Sequence, residues 1–299
     1  MRFTTATTLD EALAALADGA RPVAGGSDLV VGARQGKSPL PEHLVAIDRL
    51  DDLRHITETA SGISIGALVS HHQLEHHPLV LARATGIADA SALVGSPSTR
   101  NVGTVGGNVM NGSPAMDTGA PLVTLGAEAE LRSTRGSRRV PLTELWTGPG
   151  RTSAAPDELC VALHLPAPPD HSGSAYVRLE YRRAMEIAVV GAGAAVTLAD
   201  DGTLAAIALA LTAVAPVILP VDGLDELVGR QIADGLLAEV AQRASEQARP
   251  ISDLRATDRY RRHTVGVMAR RAVDAAVRRA RGEDLAAPLN RTLGIGAAS

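Results

Sequence analysis

Apolar positions in the first part of the chain follow a helical spacing at some places and a strand spacing at others. Positions 9, 12, 13 and 16 are apolar, which is the spacing of one helix face, and Gly19 follows as a stop signal. Short apolar runs at residues 44–47 and 62–68 instead predict strands, and residues 82–94 predict another helix. The alternation indicates a mixed helix and strand fold.

After residue 125 the pattern changes to strands followed by helices. A proline- and serine-rich stretch at residues 166–174 is the best linker candidate. We therefore predict an α+β fold with domains at residues 1–170 and 171–299, the second holding a three-stranded antiparallel sheet with helices. The segments behind this prediction are the strands 127–132 and 157–166 before the linker, the strands 176–181, 187–198 and 204–214 after it, and an arginine-rich helical segment, 253–281.

The composition excludes several classes of protein. Hydrophobic residues make up 45% and charged residues 21%, an ordinary globular balance, and the net charge of −4 gives no reason to expect nucleic acid. The single cysteine, Cys160, excludes a disulfide framework and any iron–sulfur cluster held by this chain alone. The longest apolar run, residues 187–198, is too short for a bilayer, and the N-terminus lacks the apolar stretch of a signal peptide. We therefore expect a cytoplasmic protein that does not bind a membrane.

Glycine and short polar residues crowd the stretch 100–117, R-N-V-G-T-V-G-G-N-V-M-N-G-S-P-A-M-D. Gly103, Gly106 and Gly107 predict a backbone with φ > 0 that a ligand can approach closely. Successive free N–H groups in such a turn form an anion site, which suits a phosphate. A helix is predicted to follow over residues 114–125, with Ser113 as its N-cap.

A second glycine turn of the same design lies upstream at residues 22–29, P-V-A-G-G-S-D-L, and predicts a helix over residues 29–35. One such turn alone is usually no more than a turn. Two of them, about eighty residues apart, indicate a ligand with an extended and doubly charged middle, such as the diphosphate of a dinucleotide.

The two glycine stretches, with the I-G-A-L run at residues 65–68 between them, resemble the FAD-binding subunit of the molybdenum hydroxylases, the carbon monoxide dehydrogenase and xanthine dehydrogenase family. The most specific part is T-V-G-G-N at residues 104–108, followed nine residues later by Asp117. The resemblance covers nearly the whole chain. It implies a molybdopterin-dehydrogenase type of FAD-binding domain with two subdomains, followed by the small C-terminal domain of the same family.

The resemblance also implies a function and partners. The subunit takes electrons from the iron–sulfur clusters of a small partner, which receives them from a molybdopterin cofactor on a large partner. Its FAD, bound non-covalently, then passes the electrons to NAD⁺, oxygen or a quinone. The alternative is a stand-alone FAD-dependent oxidoreductase that has kept the fold without molybdenum partners. A cofactor-free scaffold would need decayed glycine loops, and both loops are intact.

By the same resemblance, the residues of the two loops clamp the FAD diphosphate, and Asp117 is a further polar ligand. The other interpretation of Asp117 is an acid in the first turn of the predicted helix. Arg178 replaces a lysine that family members often carry beside the flavin, and Cys160 occupies a strand position near the adenine where an aliphatic residue is usual. The implied FAD-binding residues are Val23, Ala24, Gly25, Gly26, Ser27, Asp28, Leu29, Thr104, Gly106, Gly107, Asn108, Asp117, Cys160 and Arg178.

No side chains form a nucleophile, base and acid constellation in the sequence, which suits a protein whose flavin does the redox chemistry. We therefore expect no catalytic side chain. A cluster of histidines, His71, His72, His76 and His77, stands beside Glu75, but no cysteine accompanies it. Because such clusters usually face solvent, we favour a solvated helix over a metal site there. The arginines of segment 253–281 are interpreted as a solvated face or a contact with a partner subunit.

Overall fold

The computed structural model describes residues 1–36, 39–182 and 184–295. The chain begins with a small parallel sheet of strand order β1-β3-β2. A capping box starts the first helix, because the Thr8 hydroxyl accepts the N–H of Glu11 while the Glu11 carboxylate accepts the N–H of Thr8. The elements are β1 (Arg2–Thr5), α1 (Leu9–Ala17), β2 (Arg21–Val23), α2 (Ser27–Arg34) and β3 (His43–Ala46).

A five-stranded antiparallel sheet of order β4-β5-β10-β6-β7 forms the second part of the molecule. Its strands are β4 (Ile56–Thr59), β5 (Gly62–Gly66), β6 (Glu128–Ser133), β7 (Gly136–Pro141) and β10 (Leu159–Pro166), with β8 (Trp146–Gly148) and β9 (Arg151–Thr152) as a separate pair. Short helices connect them: α3 (His71–His76), α4 (Pro78–Arg83), α5 (Thr85–Ser91), α6 (Pro97–Val102), α7 (Val105–Asn111), α8 (Gly119–Thr124) and α9 (Leu142–Leu145).

The C-terminal part contains the three predicted antiparallel strands and a fourth strand of two residues. The long helix packs its alanine- and valine-rich face on the sheet, and Val265, Ala272 and Val273 are fully buried there. The elements are β11 (Ser172–Leu179), β12 (Val190–Leu198), β13 (Leu204–Thr212), β14 (Leu219–Pro220), α10 (Asp234–Gln247), α11 (Asp258–Ala280) and α12 (Leu289–Thr292).

The first and last residues predicted for two helices are wrong. The helix expected over residues 114–125 is a turn followed by α8, which begins only at Gly119, and Ser113 caps no helix. Its hydroxyl accepts the N–H of Ala115 in a local turn, a bond that competes with helix formation. The helix expected over residues 82–94 is broken at Ala84, whose φ of −146° and ψ of 43° separate α4 from α5.

A buried ion pair joins the second part of the molecule to the C-terminal part. Asp89 of α5 is 0% exposed, and the two terminal nitrogens of Arg279 in α11 donate to its two carboxylate oxygens at 2.6 and 3.0 Å. The backbone N–H groups of Tyr176 and Leu289 donate to the same carboxylate, each at 3.1 Å. The interpretation of Arg279 as part of a solvated face is therefore wrong, since this arginine is a structural contact between the two parts.

No helix within the described ranges is both long and apolar enough to cross a membrane.

Candidate functional site

The first glycine loop, Val23–Leu29, runs from the carboxyl end of β2 into α2. Gly26 has φ 67° and ψ 4°, a left-handed conformation that glycine adopts without strain, and it is the N-cap of α2. The N–H groups of six consecutive residues have no hydrogen-bond partner among residues 1–36, 39–182 and 184–295: Ala24, Gly25, Gly26, Ser27, Asp28 and Leu29. A run of unpaired amides at a helix start is an arrangement that suits an anion, and the phosphate contact expected at this loop stays a prediction.

Asp28 places a carboxylate on this same loop. The residue is exposed, yet partial loss of water around the carboxyl raises its pKa above the ordinary value. An anion bound by the unpaired amides therefore lies next to an acid whose proton is held more tightly than usual.

The second glycine loop, Thr104–Asn108, uses its amides within the protein. Thr104 is the N-cap of α7, so the two glycines lie in the first turn of a helix rather than in an open turn. The four N–H groups that follow Thr104 all donate to protein oxygens: Val105 to Val69 O (2.9 Å), Gly106 to Ala67 O (2.9 Å), Gly107 to Thr104 Oγ1 (3.2 Å) and Asn108 to Thr104 O (2.9 Å).

The expectation that Gly103, Gly106 and Gly107 have φ > 0 is wrong, since none of them is among the left-handed residues of the described chain. Close packing explains why the first two of these positions hold glycine. A Cβ on Gly106 would lie 2.5 Å from the Cβ of Ala67, and one on Gly103 would lie 3.0 Å from the carbonyl oxygen of Thr99. Gly107 is different, because it is exposed and its Cβ would meet only Thr104 Oγ1, at 3.0 Å. Open space therefore lies over this first turn of α7.

The two loops touch. A Cβ on Gly25 would overlap the carbonyl oxygen of Val102 and lie 3.2 Å from the nitrogen of Gly103. A Cβ on Gly103 would lie 3.8 Å from the hydroxyl of Ser27. The structure thus brings together two stretches that are far apart in sequence, with the unpaired amides of the first loop beside the helix start of the second.

Asp117 belongs to a buried charged cluster next to the second loop. Its carboxylate accepts from Arg178 Nη1 at 2.7 Å and from the Tyr176 hydroxyl at 2.8 Å. The neighbouring Thr118 hydroxyl donates to Asn108 Oδ1 at 2.6 Å, which links the cluster to the loop. Asp117 precedes α8 and its cap, so the interpretation as an acid in the first turn of a helix is wrong.

Arg178 is 0% exposed and makes most of its contacts within this cluster. Its Nε donates to Glu180 Oε2 at 2.8 Å, and its Nη1 also reaches the carbonyl oxygen of Glu186 at 3.2 Å. Its Nη2 has no partner in the described part of the chain. The cluster therefore contains one buried cationic donor that the described residues leave unpaired.

Burial and the neighbouring charge shift the pKa values of Asp117 and Arg178 in opposite directions. Burial raises the pKa of the Asp117 carboxyl, and the nearby Arg178 guanidinium opposes the shift. For Arg178 burial acts to lower the pKa, but the groups around it, Asp117 first, raise the pKa on balance, so the guanidinium stays charged. Burial and the Asp117 charge raise the pKa of Tyr176 far above its ordinary value, so its hydroxyl remains a neutral donor.

Cys160 lies inside β10, and its side chain packs in the hydrophobic core with Leu131 and Ile65. Burial raises the pKa of its thiol to about 12, so it stays neutral. The next residue, Val161, accepts the N–H of Ala67, whose own carbonyl accepts the N–H of Gly106. Cys160 therefore lies in the strand that supports the second loop from behind, and its interpretation as a small buried hydrophobic residue is confirmed.

His71 is a residue of this region that the sequence placed wrongly on a solvated face. It is 2% exposed, its N–H donates to the Gly103 carbonyl at 3.1 Å, and burial together with the charge of Arg100 lowers its pKa to about 4. The neutral ring packs behind the second loop. The buried Leu74, three residues after His71, was the signal that one face of this helix turns inward.

Comparisons with known proteins identify the family of the chain. Residues 1–168 match the family model of the FAD binding domain in molybdopterin dehydrogenase, and residues 175–276 match that of the CO dehydrogenase flavoprotein C-terminal domain. The chain is 31% identical to the putative xanthine dehydrogenase FAD-binding subunit of Escherichia coli, over 93% of this chain and 96% of the relative. It is 34% identical to the carbon monoxide dehydrogenase medium chain of Afipia carboxidovorans, over 90% and 93%.

The fold has a close match among solved structures. Reconstituted CO dehydrogenase from Oligotropha carboxidovorans superposes with a TM-score of 0.88 at 32% sequence identity, over 93% of this chain and 98% of the matched chain. Quinoline 2-oxidoreductase from Pseudomonas putida matches with a TM-score of 0.85 at 27% identity.

Proposed function

The chain belongs to the family of flavoproteins that join a molybdopterin-dehydrogenase FAD-binding domain to a CO-dehydrogenase flavoprotein C-terminal domain, and on this premise we propose that it binds one FAD non-covalently and transfers electrons as a subunit of a molybdenum hydroxylase. The observation that carries the proposal is the contact between the two glycine loops, with the unpaired amides of residues 24–29 beside the open helix start at Gly107. FAD supplies the redox chemistry through its flavin ring, so the protein has to bind, orient and tune it.

The residues present fit an FAD diphosphate. The first loop offers backbone donors, and the missing side chain of Gly107 leaves space for a ligand over α7. Thr104 and Asn108 supply side-chain oxygens at the same place, although the structure already commits them to Gly107 and Thr118. We assign the first loop the role of donor and the second loop the role of a shaped surface against which the cofactor lies.

The other implied residues have different roles in the proposal. Asp117 and Arg178 form a charged wall next to Asn108, in which the unpaired Nη2 of Arg178 is the donor available to a cofactor after a small movement. Cys160 acts from the core, by supporting the second loop through its strand, because its thiol is buried and neutral. We keep the division into domains at residues 1–170 and 171–299 as a proposal, in which Arg178 reaches across the boundary to Asp117.

We propose partners on two grounds. The relatives are named as a FAD-binding subunit and as medium chains, and one cysteine cannot ligate an iron–sulfur cluster. A small iron–sulfur subunit and a large molybdopterin subunit would therefore deliver electrons, and NAD⁺, oxygen or a quinone would receive them. The complex is proposed to work in the cytoplasm.

The test has two steps. Purified chain is heated, and the released flavin is identified and counted against protein; one FAD per chain is expected, and a colourless chain that takes up no added FAD overturns the proposal. The chain is then recovered from its host, where a cysteine-rich small protein and a much larger chain are expected to co-purify. If the flavin-loaded chain alone turns over an organic substrate at about 1–10³ per second, the stand-alone oxidoreductase replaces the subunit.

A further inference from the structure

One face of α3 carries three metal-ligating side chains in one place, two of them exposed and one partly buried. His72 and His76 are four residues apart and Glu75 stands between them, so all three fall on adjacent positions of the helix surface. One ligand atom from each residue lies within 4.8 Å of the other two, and the two imidazole rings have centroids 4.6 Å apart. We propose that these residues form a site for one divalent transition-metal ion of the zinc, nickel or copper class.

Each ring has a nitrogen to offer. His76 Nδ1 lies 2.9 Å from the carbonyl oxygen of His72, which fixes the orientation of the ring and leaves Nε2 without a hydrogen-bond partner among the described residues. A ring nitrogen held by a backbone carbonyl is the arrangement that orients histidine ligands in metal proteins. The His72 ring makes no hydrogen bond among the described residues, and it is exposed, so it rotates without breaking a hydrogen bond.

Glu75 is held in place by the protein. Its Oε2 accepts from Arg100 Nε at 3.0 Å, and both side chains are about one-tenth exposed. Its Oε1 has no partner in the described chain, so one oxygen remains for a metal ion. The arginine neutralises part of the carboxylate charge, and it also fixes the carboxylate beside the two imidazoles.

The distances require only a small adjustment. Ligand atoms bound at 2.0–2.1 Å to a tetrahedral ion lie about 3.4 Å apart. A spacing of up to 4.8 Å closes to this value when an exposed histidine ring turns about its side-chain bonds. Two imidazoles and one carboxylate select zinc, copper or nickel over magnesium and calcium, which prefer oxygen ligands. Water completes the coordination on the open side.

The proposed metal site is connected with the second loop through Arg100, the partner of Glu75. Arg100 belongs to α6, the helix that leads into this loop, and the residue before His72 donates its N–H to the Gly103 carbonyl. A metal ion on α3 therefore holds the carboxylate that anchors Arg100. The site is nonetheless separate from the proposed cofactor surface, and its occupancy is measured without reference to flavin.

Zinc binding to the untagged full-length chain tests the proposal by calorimetry. One Zn²⁺ per chain is expected, and His76→Gln is expected to weaken binding by more than about tenfold, since even an outer-shell contact carries that effect. His263→Gln is the matched control, because His263 is also exposed on a helix, with no hydrogen bond or ion pair among the described residues. No saturable binding, or equal affinity in His76→Gln and the wild type, would overturn the site.

A second measurement identifies the ligands. Electron paramagnetic resonance of the chain with one equivalent of Cu²⁺ is expected to show coupling to two imidazole nitrogens, and His72→Gln to reduce this to one. Both substituted residues are exposed, so thermal melting without metal should be unchanged in each variant. An unchanged nitrogen count in His72→Gln would show that the copper lies elsewhere, and the proposal would fall.

Discussion

The first glycine loop leaves six consecutive N–H groups of residues 24–29 unpaired within the described chain, whereas the second loop donates each of the four N–H groups that follow Thr104 to protein oxygens. The first loop is half-exposed and contains a left-handed glycine, while most of the second loop is buried and its glycines are helical. Similar sequence letters therefore serve two physical purposes. In one loop glycine exposes donors to a ligand, and in the other it permits close packing of backbone against backbone.

The largest effect is expected where the two loops meet. Gly25→Ala places a Cβ on the Val102 carbonyl, which forces the loops apart and should cost at least about 1–3 kcal/mol of unfolding free energy, the range for overpacked sites. FAD should be lost at the same time. Urea unfolding and the flavin-to-protein ratio measure the two effects.

The control for this change is Gly235→Ala in α10, where a Cβ would meet no atom within 4 Å. Flavin retained in full by Gly25→Ala, with unfolding like that of the control, would show that the contact between the loops is not needed for the cofactor.

Gly107→Val tests the open side of the second loop. Its side chain would occupy the space over α7, so FAD affinity should fall by more than about tenfold, or 1.4 kcal/mol. The unfolding free energy of the flavin-free chain should change by less than about 1 kcal/mol, because the position is helical and exposed. Fluorescence titration with FAD measures the affinity. Gly235→Val, which shares the helical and exposed setting, should bind FAD like the wild type; equal affinity in the two variants would contradict the proposed surface.

Thr118→Val tests how the charged cluster supports the second loop. The change removes the hydroxyl that donates to Asn108, and it should lower the unfolding free energy by about 1 kcal/mol, the usual net value of one hydrogen bond. FAD affinity should fall only severalfold, because the donors of the first loop are untouched. A complete loss of flavin with normal stability would mean that Asn108 contacts the cofactor directly and that the second loop is a donor as well.

The smallest effect is expected for Asp28→Asn in the first loop. An exposed carboxylate repels a diphosphate weakly, so the variant should bind FAD up to about threefold more tightly. Because the carboxyl has a raised pKa in the folded chain, folding favours its protonated form, and its contribution to stability rises as pH falls through that pKa. The asparagine variant should lack this pH dependence in urea unfolding. Weaker FAD binding would instead show that the Asp28 carboxylate accepts a hydrogen bond from the cofactor.

Alternating apolar residues predicted the strands, because they report on local conformation, and the resemblance of the glycine stretches to a known family predicted the family and the order of its domains. The sequence failed at Ser113, which has the residue type of an N-cap but closes a local turn. It also failed at His71, whose backbone N–H donates to Gly103, and at Arg279, whose buried side chain donates to Asp89; both partners are distant in sequence. Such contacts depend on tertiary structure, and no local pattern specifies them.

The state of the loop amides was beyond prediction for the same reason. The carbonyls of Ala67 and Val69 accept N–H groups of the second loop, and these two residues lie at the end of the predicted strand 62–68 and directly after it. A glycine count reports that the backbone is accessible. It does not report whether the N–H groups of that backbone already donate to other parts of the protein.

The carboxylate of Asp89 has a consequence for the order in which the molecule is made. A ribosome that adds about 5–20 residues per second needs about 10–40 s to pass from Asp89 to Arg279, which is 190 residues further along the chain. During this interval the nascent N-terminal part carries a carboxylate whose arginine does not yet exist, and water has to solvate it. The ion pair of α5 therefore forms only after α11 has left the ribosome, so a helix of the C-terminal part decides when the first half of the protein is finished.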